Sequence, residues 1–97
     1  MREVWLVSSE NRPKAEDVLK KDDLVSRQSI FSRAAGALSM SEDGFFIIMD
    51  GSEQAIARTD ELLKDIAKKY QKKELVLNKF DEIEAATNEA FGFIIGG

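Results

Sequence analysis

Five consecutive apolar residues, Phe45-Phe46-Ile47-Ile48-Met49, stand between Gly44 and Gly51 and constrain the fold more than any other stretch of the chain. Successive side chains of a strand point to opposite faces, so an apolar run without polar alternation asks for cover on both sides. The stretch predicts a central strand, not an edge. Glu3–Ser8 predicts a second strand of the same kind, because Val4, Trp5, Leu6 and Val7 follow one another without a polar break.

A different period begins after the Phe45 run. Ala55, Ile56, Thr59, Leu62, Leu63, Ile66 and Tyr70 recur at helical spacing and predict a helix over Glu53–Gln71, capped by Ser52. Ala15, Val18 and Leu19 predict a helix over Pro13–Lys21, with Ser9 or Asn11 as its cap and Pro13 in its first turn. Ile30, Phe31, Ala34, Ala35 and Leu38 predict a helix over Ser26–Leu38. A rival reading breaks that segment into two short strands, Arg27–Phe31 and Gly36–Met40. Glu74–Asn78 predicts a third strand. Phe80, Ile83, Ala86, Ala90 and Phe91 predict a last helix ended by Gly92, and Phe93-Ile94-Ile95 a short final strand or a packed tail.

The expected architecture is one compact α/β (or α+β) domain over residues 1–97. It is a small two-layer sandwich, with three to four strands in one sheet packed by about four helices, in the order β-α-α-β-α-β-α. Strands joined by helices are expected to run parallel. With residues 24–40 extended instead, the expectation becomes an antiparallel α+β sandwich of the ferredoxin-like or TATA-binding-protein-like kind.

Composition narrows the chemistry. The chain has 97 residues, 43% of them hydrophobic, enough for one modest core. It contains no cysteine, which excludes disulfides, thiol catalysis and cysteine-held metal clusters. It contains no histidine, which removes the usual neutral-pH general base and the commonest transition-metal ligand. The net charge of −4 opposes broad electrostatic attraction to nucleic acid or acidic lipid. No window reaches the roughly 18 apolar residues of a membrane span, and a cytoplasmic location is the expectation.

Three clusters are candidate sites. Ligands of open α/β sheets bind outside the carboxyl ends of the strands, where Ser9 and Asn11 follow the first strand and Asp50, Gly51 and Ser52 follow the second. Parallel strands would bring these turns to one rim, with Ser52 and free helix amides for an anion. The competing reading makes Asp50-Gly51-Ser52 a turn and a helix cap. Arg27 and Arg33 form a second cluster. Lys68 and Lys72, beside Tyr70, form a third, which suits phosphates or single-stranded nucleic acid but equally suits the carboxyl end of a helix. No phosphate-loop or dinucleotide motif is present, and no metal or cofactor is expected.

The functional expectation is a small cytoplasmic binding, regulatory or structural domain, not an enzyme, that associates with itself or with a protein partner, the apolar tail Phe93–Ile95 being the surface for it. The first alternative is an enzyme or ligand-binding subunit for a small phosphorylated or anionic ligand at the strand-to-helix turns. The second is a nucleic-acid-binding module.

Overall fold

The computed structural model describes residues 1–91, and the side-chain surroundings of residues 1–85. Strand β1 (Arg2–Val7) leads into helix α1 (Arg12–Lys21). Strands β2 (Ser29–Ala34) and β3 (Phe45–Asp50) follow, then helix α2 (Glu53–Leu62), strand β4 (Ala67–Lys69) and helix α3 (Lys73–Phe91). Single-turn 3-10 helices at Val25–Arg27 and Ala35–Leu38 flank β2. The apolar tail Phe93–Ile95 lies outside the described residues.

The four strands form one sheet in the order β2-β3-β1-β4. Every neighbouring pair is antiparallel. This is the topology of the ferredoxin-like, split-βαβ arrangement, with α3 added. The Phe45 run occupies β3 and is central, between β1 and β2, as its apolar pattern requires. Trp5, Val7, Ile47 and Met49 project from one face and pack against Ala15 and Leu19 of α1, Ala55 and Ile56 of α2, and Leu63. Val4, Phe46 and Ile48 project from the other and pack against Val76, Leu77 and Phe80 of α3 and against Ala35 and Leu38. Trp5 is the one tryptophan, and its indole Nε1 donates to Asp60 on α2 at 2.9 Å.

Several expectations are corrected here. The sheet is antiparallel, not parallel, and the element order is β-α-β-β-α-β-α. There are three α-helices among the described residues, not about four, and they cover both faces, so the layers number three, not two. The predicted helix Ser26–Leu38 is instead a strand between two single turns. Pairing with β3 along Ser29–Ala34 satisfies that backbone, and Gly36 with three serines leaves little helix propensity to resist it. The rival reading is right that the segment is extended, but it forms one strand, Ser29–Ala34; the second strand expected over Gly36–Met40 is not formed, and Ala35–Leu38 is a 3-10 turn instead. The predicted helix Glu53–Gln71 stops at Leu62, because Ala67–Lys69 pairs with Trp5–Val7 of β1. The predicted strand Glu74–Asn78 forms the first turns of α3, where Val76, Leu77 and Phe80 share one buried face.

Gly44 shows how tightly the chain passes itself. Its φ is +111°, and a Cβ there would stand 2.3 Å from the Val7 carbonyl oxygen. Only glycine combines that backbone with that approach.

Candidate functional site

The antiparallel sheet separates what the sequence reading had joined. Arg2 faces Asp50 across β1 and β3, and Val7 faces Phe45. Ser9 and Asn11, after β1, therefore sit at the opposite end of the sheet from Asp50, Gly51 and Ser52, after β3. The single rim that parallel strands would have made does not form.

The Asp50–Ser52 turn is occupied by its own chain. Asp50 Oδ1 lies 3.4 Å from the N-terminal ammonium, and the Gly51 amide donates to the Met1 carbonyl at 2.9 Å. Ser52 Oγ accepts from the Ala55 amide at 3.1 Å, the cap its sequence promised. The Ser52 amide donates to Gln28 Oε1 at 3.3 Å, which takes up a donor an anion would have used. Gly51 leaves room for the same side chain: a Cβ would lie 2.6 Å from Gln28 Oε1, so a larger residue there would have to displace Gln28.

The other candidates also disperse. Ser9 is exposed. Asn11 begins α1 without a side-chain cap bond; Ser8 Oγ accepts from its amide at 3.2 Å instead. Asn11 and Lys68 do come together, at a shallow depression of about 370 Å³ shared with Asp43, Lys64 and Asp65. Arg27 pairs with Asp23 at 3.2 Å on the surface. Arg33 turns to Glu84 of α3 at 2.8 Å and stacks 5.5 Å from the Phe31 and Phe80 rings. Lys68 and Lys72 are exposed, but the neighbouring cations are engaged: Lys69 reaches Glu3 and Asp60, and Lys73 reaches Glu3 at 2.8 Å. Lys69 and Lys73 thus belong to a structural ion network, while Lys68 and Lys72 project beside it. Within it burial pushes the Glu3 carboxyl up, but hydrogen bonds from Lys73 and Lys69 outweigh that and hold it below the ordinary range.

A larger concavity lies elsewhere. A groove of about 660 Å³ runs between α1 and the edge strand β2, along the α1–α2 face of the sheet. Half-buried Ile30 supplies its apolar surface over a floor of buried Leu19 and Ile47, and Ser26, Gln28 and Ser32 supply hydroxyls and an amide. Arg12, Glu16 and Lys20 line the helix side, placed on one face of α1 by their four-residue spacing. Arg12 lies 4.3 Å over the Phe45 ring and 3.9 Å from Glu16, so the wall carries two cations against one carboxylate. Ser32 Oγ is buried without a hydrogen-bond partner.

The loop that brings Ser26 and Gln28 to the groove is anchored by Asp22. Its Oδ1 accepts from the Leu24 and Val25 amides, and its Oδ2 takes Arg58 Nε at 2.8 Å. The Val25 amide first, and Arg58 next, hold the Asp22 carboxyl below its ordinary range. Sequence reasoning missed this groove. Arg12, Glu16 and Lys20 at four-residue intervals beside Ala15 and Leu19 were the available signal, but the strand that faces them had been read as a helix. Among the described residues no group of three Asp or Glu side chains gathers as a metal site, and no helix is long and apolar enough to cross a membrane. No protein-family model, no curated protein and no solved structure matches this chain.

Proposed function

We propose that this chain is a small cytoplasmic binding module without catalysis, and that its ligand is a small amphipathic anion held in the groove between α1 and β2. The groove itself carries the reading. Its volume of about 660 Å³ falls within the roughly 300–1,000 Å³ of small-molecule sites. Its apolar surface is half-buried Ile30 over a floor of buried Leu19 and Ile47, and its charged wall holds Arg12 and Lys20 against the single carboxylate of Glu16. An anion is the ligand such a wall attracts, and an apolar body is what that surface rewards. The binding side chains come from α1, β2 and β3, which the hydrophobic core fixes in place. The absence of histidine and cysteine fits a site that binds by shape and charge.

The test is a titration of the protein with short-chain and aromatic carboxylates and phosphate monoesters, followed by backbone NMR. Shifts are expected at Arg12, Glu16, Lys20, Ile30 and Ser32, with Asp50–Ser52 still. Lys20→Glu, at an exposed position, is expected to weaken binding about tenfold while leaving the melting temperature unchanged. Shifts confined to Asp50–Ser52, or none at millimolar ligand, overturn the reading.

A further inference from the structure

We propose that the outer edge of β2 is a self-pairing surface, on which a second copy of this chain joins antiparallel with Ser32 opposite Ser32, fusing the two sheets into one. This goes beyond the groove reading and does not depend on it.

The two edges of the sheet are built differently. β4 has three residues, Ala67–Lys69, and ends in two lysines. Shortness and lysine are the common means of keeping an edge from pairing. β2 has six residues, no proline and an unbroken register with β3. Its one charged side chain, Arg33, is drawn to Glu84 on α3. Among the described residues no strand pairs with its outer side.

The ladder fixes which groups face outward. The Ala35 amide donates to the Gly44 carbonyl at 3.0 Å, continuing the β2–β3 register. Bonded and non-bonded pairs alternate in an antiparallel ladder, so Ser29, Phe31 and Arg33 bond to β3. Ile30, Ser32 and Ala34 therefore turn their amides and carbonyls outward. The Ser32 carbonyl takes its own neighbour, Arg33 Nη1, at 3.0 Å. A strand amide can replace that bond.

Those outward groups select the occupant and its register. In a two-fold pair, outward residues must face outward residues, and side chains opposite one another share a face. With Ser32 on the axis, Ile30 stands opposite Ala34 of the second copy, and all three outward residues of each strand are used. The neighbouring register, with Phe31 on the axis, would run Ala34 past the strand onto Gln28. The Ser32 register also gives its unpartnered hydroxyl a partner, since a χ1 rotation brings the two serine side chains together across the axis. On the α3 face it sets each Arg33 opposite Phe31 of the other copy, a cation over a ring, repeating the contact Arg33 already makes with its own Phe31. No like charges stand opposite one another. The strand is complementary to itself, which an isologous interface requires.

Sedimentation of the full chain between roughly 10 μM and roughly 1 mM is expected to show a monomer passing to a dimer. Ser32→Lys and Ser32→Asp each place like charges on the axis and are expected to raise the dissociation constant about tenfold or more, whereas a one-to-one mixture of the two variants re-associates. Ser32→Cys gives the chain its one cysteine. Paired residues at that position stand about 5.5 Å apart between Cα atoms, within the roughly 4.4–6.8 Å a disulfide spans. Mild oxidation is then expected to give a covalent dimer, and Lys68→Cys on β4 is not. Three results would overturn the proposal: monomer throughout the range, a dimer untouched by either charged variant at residue 32, or a dimer lost with Ile94→Asp instead.

Discussion

At the scale of single residues, this chain uses polar side chains to close its own turns. Gln28 is the clearest case. Its Oε1 accepts from the Ser52 amide, and its Nε2 donates to the Leu24 carbonyl at 3.0 Å, so one side chain joins the loop before β2 to the start of α2. Gly51 leaves it the room. Gly51→Ala and Gln28→Ala are each expected to lower stability by about 1 kcal/mol, the size of one such hydrogen bond. Because both act through the same contact, the double variant is expected to cost little more than either single one, measured by chemical denaturation as a double-mutant cycle. Additive losses would mean that Gly51 and Gln28 act independently. The Ser52 cap was legible in the sequence because capping is local, a serine and the amides that follow it. Gln28 was not, since 24 residues separate it from the amide it satisfies.

At the scale of elements, α3 is the layer that completes the sheet. Val76, Leu77 and Phe80 are its buried face, and the Phe80 ring lies 5.0 Å from Phe31. Phe80→Ala is expected to cost about 3–5 kcal/mol by calorimetry or denaturation. Leu75→Ala, one position before that face and half-exposed, is expected to stay within about 0.5 kcal/mol. Equal losses would place Leu75 in the core and undo the assignment of that face. The sequence declared elements whose signal is carried by side chains alone: β1, α1, β3 and the start of α2. It misled where pairing decides. Ile30, Phe31 and Ala34 satisfy a helical period and also alternate across a half-covered strand, so spacing could not choose between them. Ala67–Lys69 is held by backbone partners on β1 and has almost no apolar signal of its own. The double-sided apolar runs of β1 and β3 had already asked for cover on both faces. A two-layer expectation could not meet that demand, and α3, which begins in a segment read as strand, does.

At the scale of the whole molecule, the layers are joined by one ion network. Glu3 of β1 meets Lys69 of β4 and Lys73 at the start of α3, and Lys69 also meets Asp60 of α2. The Glu3 carboxyl is held below its ordinary value of 4.5 in the folded state. Its contribution is therefore complete above about pH 4.5 and is lost as pH falls through the lower, folded value. Melting temperature is expected to fall as the solution is acidified below that point. Glu3→Gln is expected to melt lower at neutral pH and to show a shallower acid decline. Parallel profiles for the two proteins would remove Glu3 from the acid response. Lys69 works in the opposite sense. Burial lowers its affinity for a proton, hydrogen bonds to Asp60 and Glu3 raise it more, and its share is lost only above about pH 10.5. Asp60 serves this network with one oxygen and the Trp5 indole with the other. That arrangement makes the protein its own optical gauge. The single indole is buried in the central part of the sheet with a carboxylate on its ring nitrogen, so its emission is expected to redden when α2 lifts away, reporting the joint between two layers without any added label.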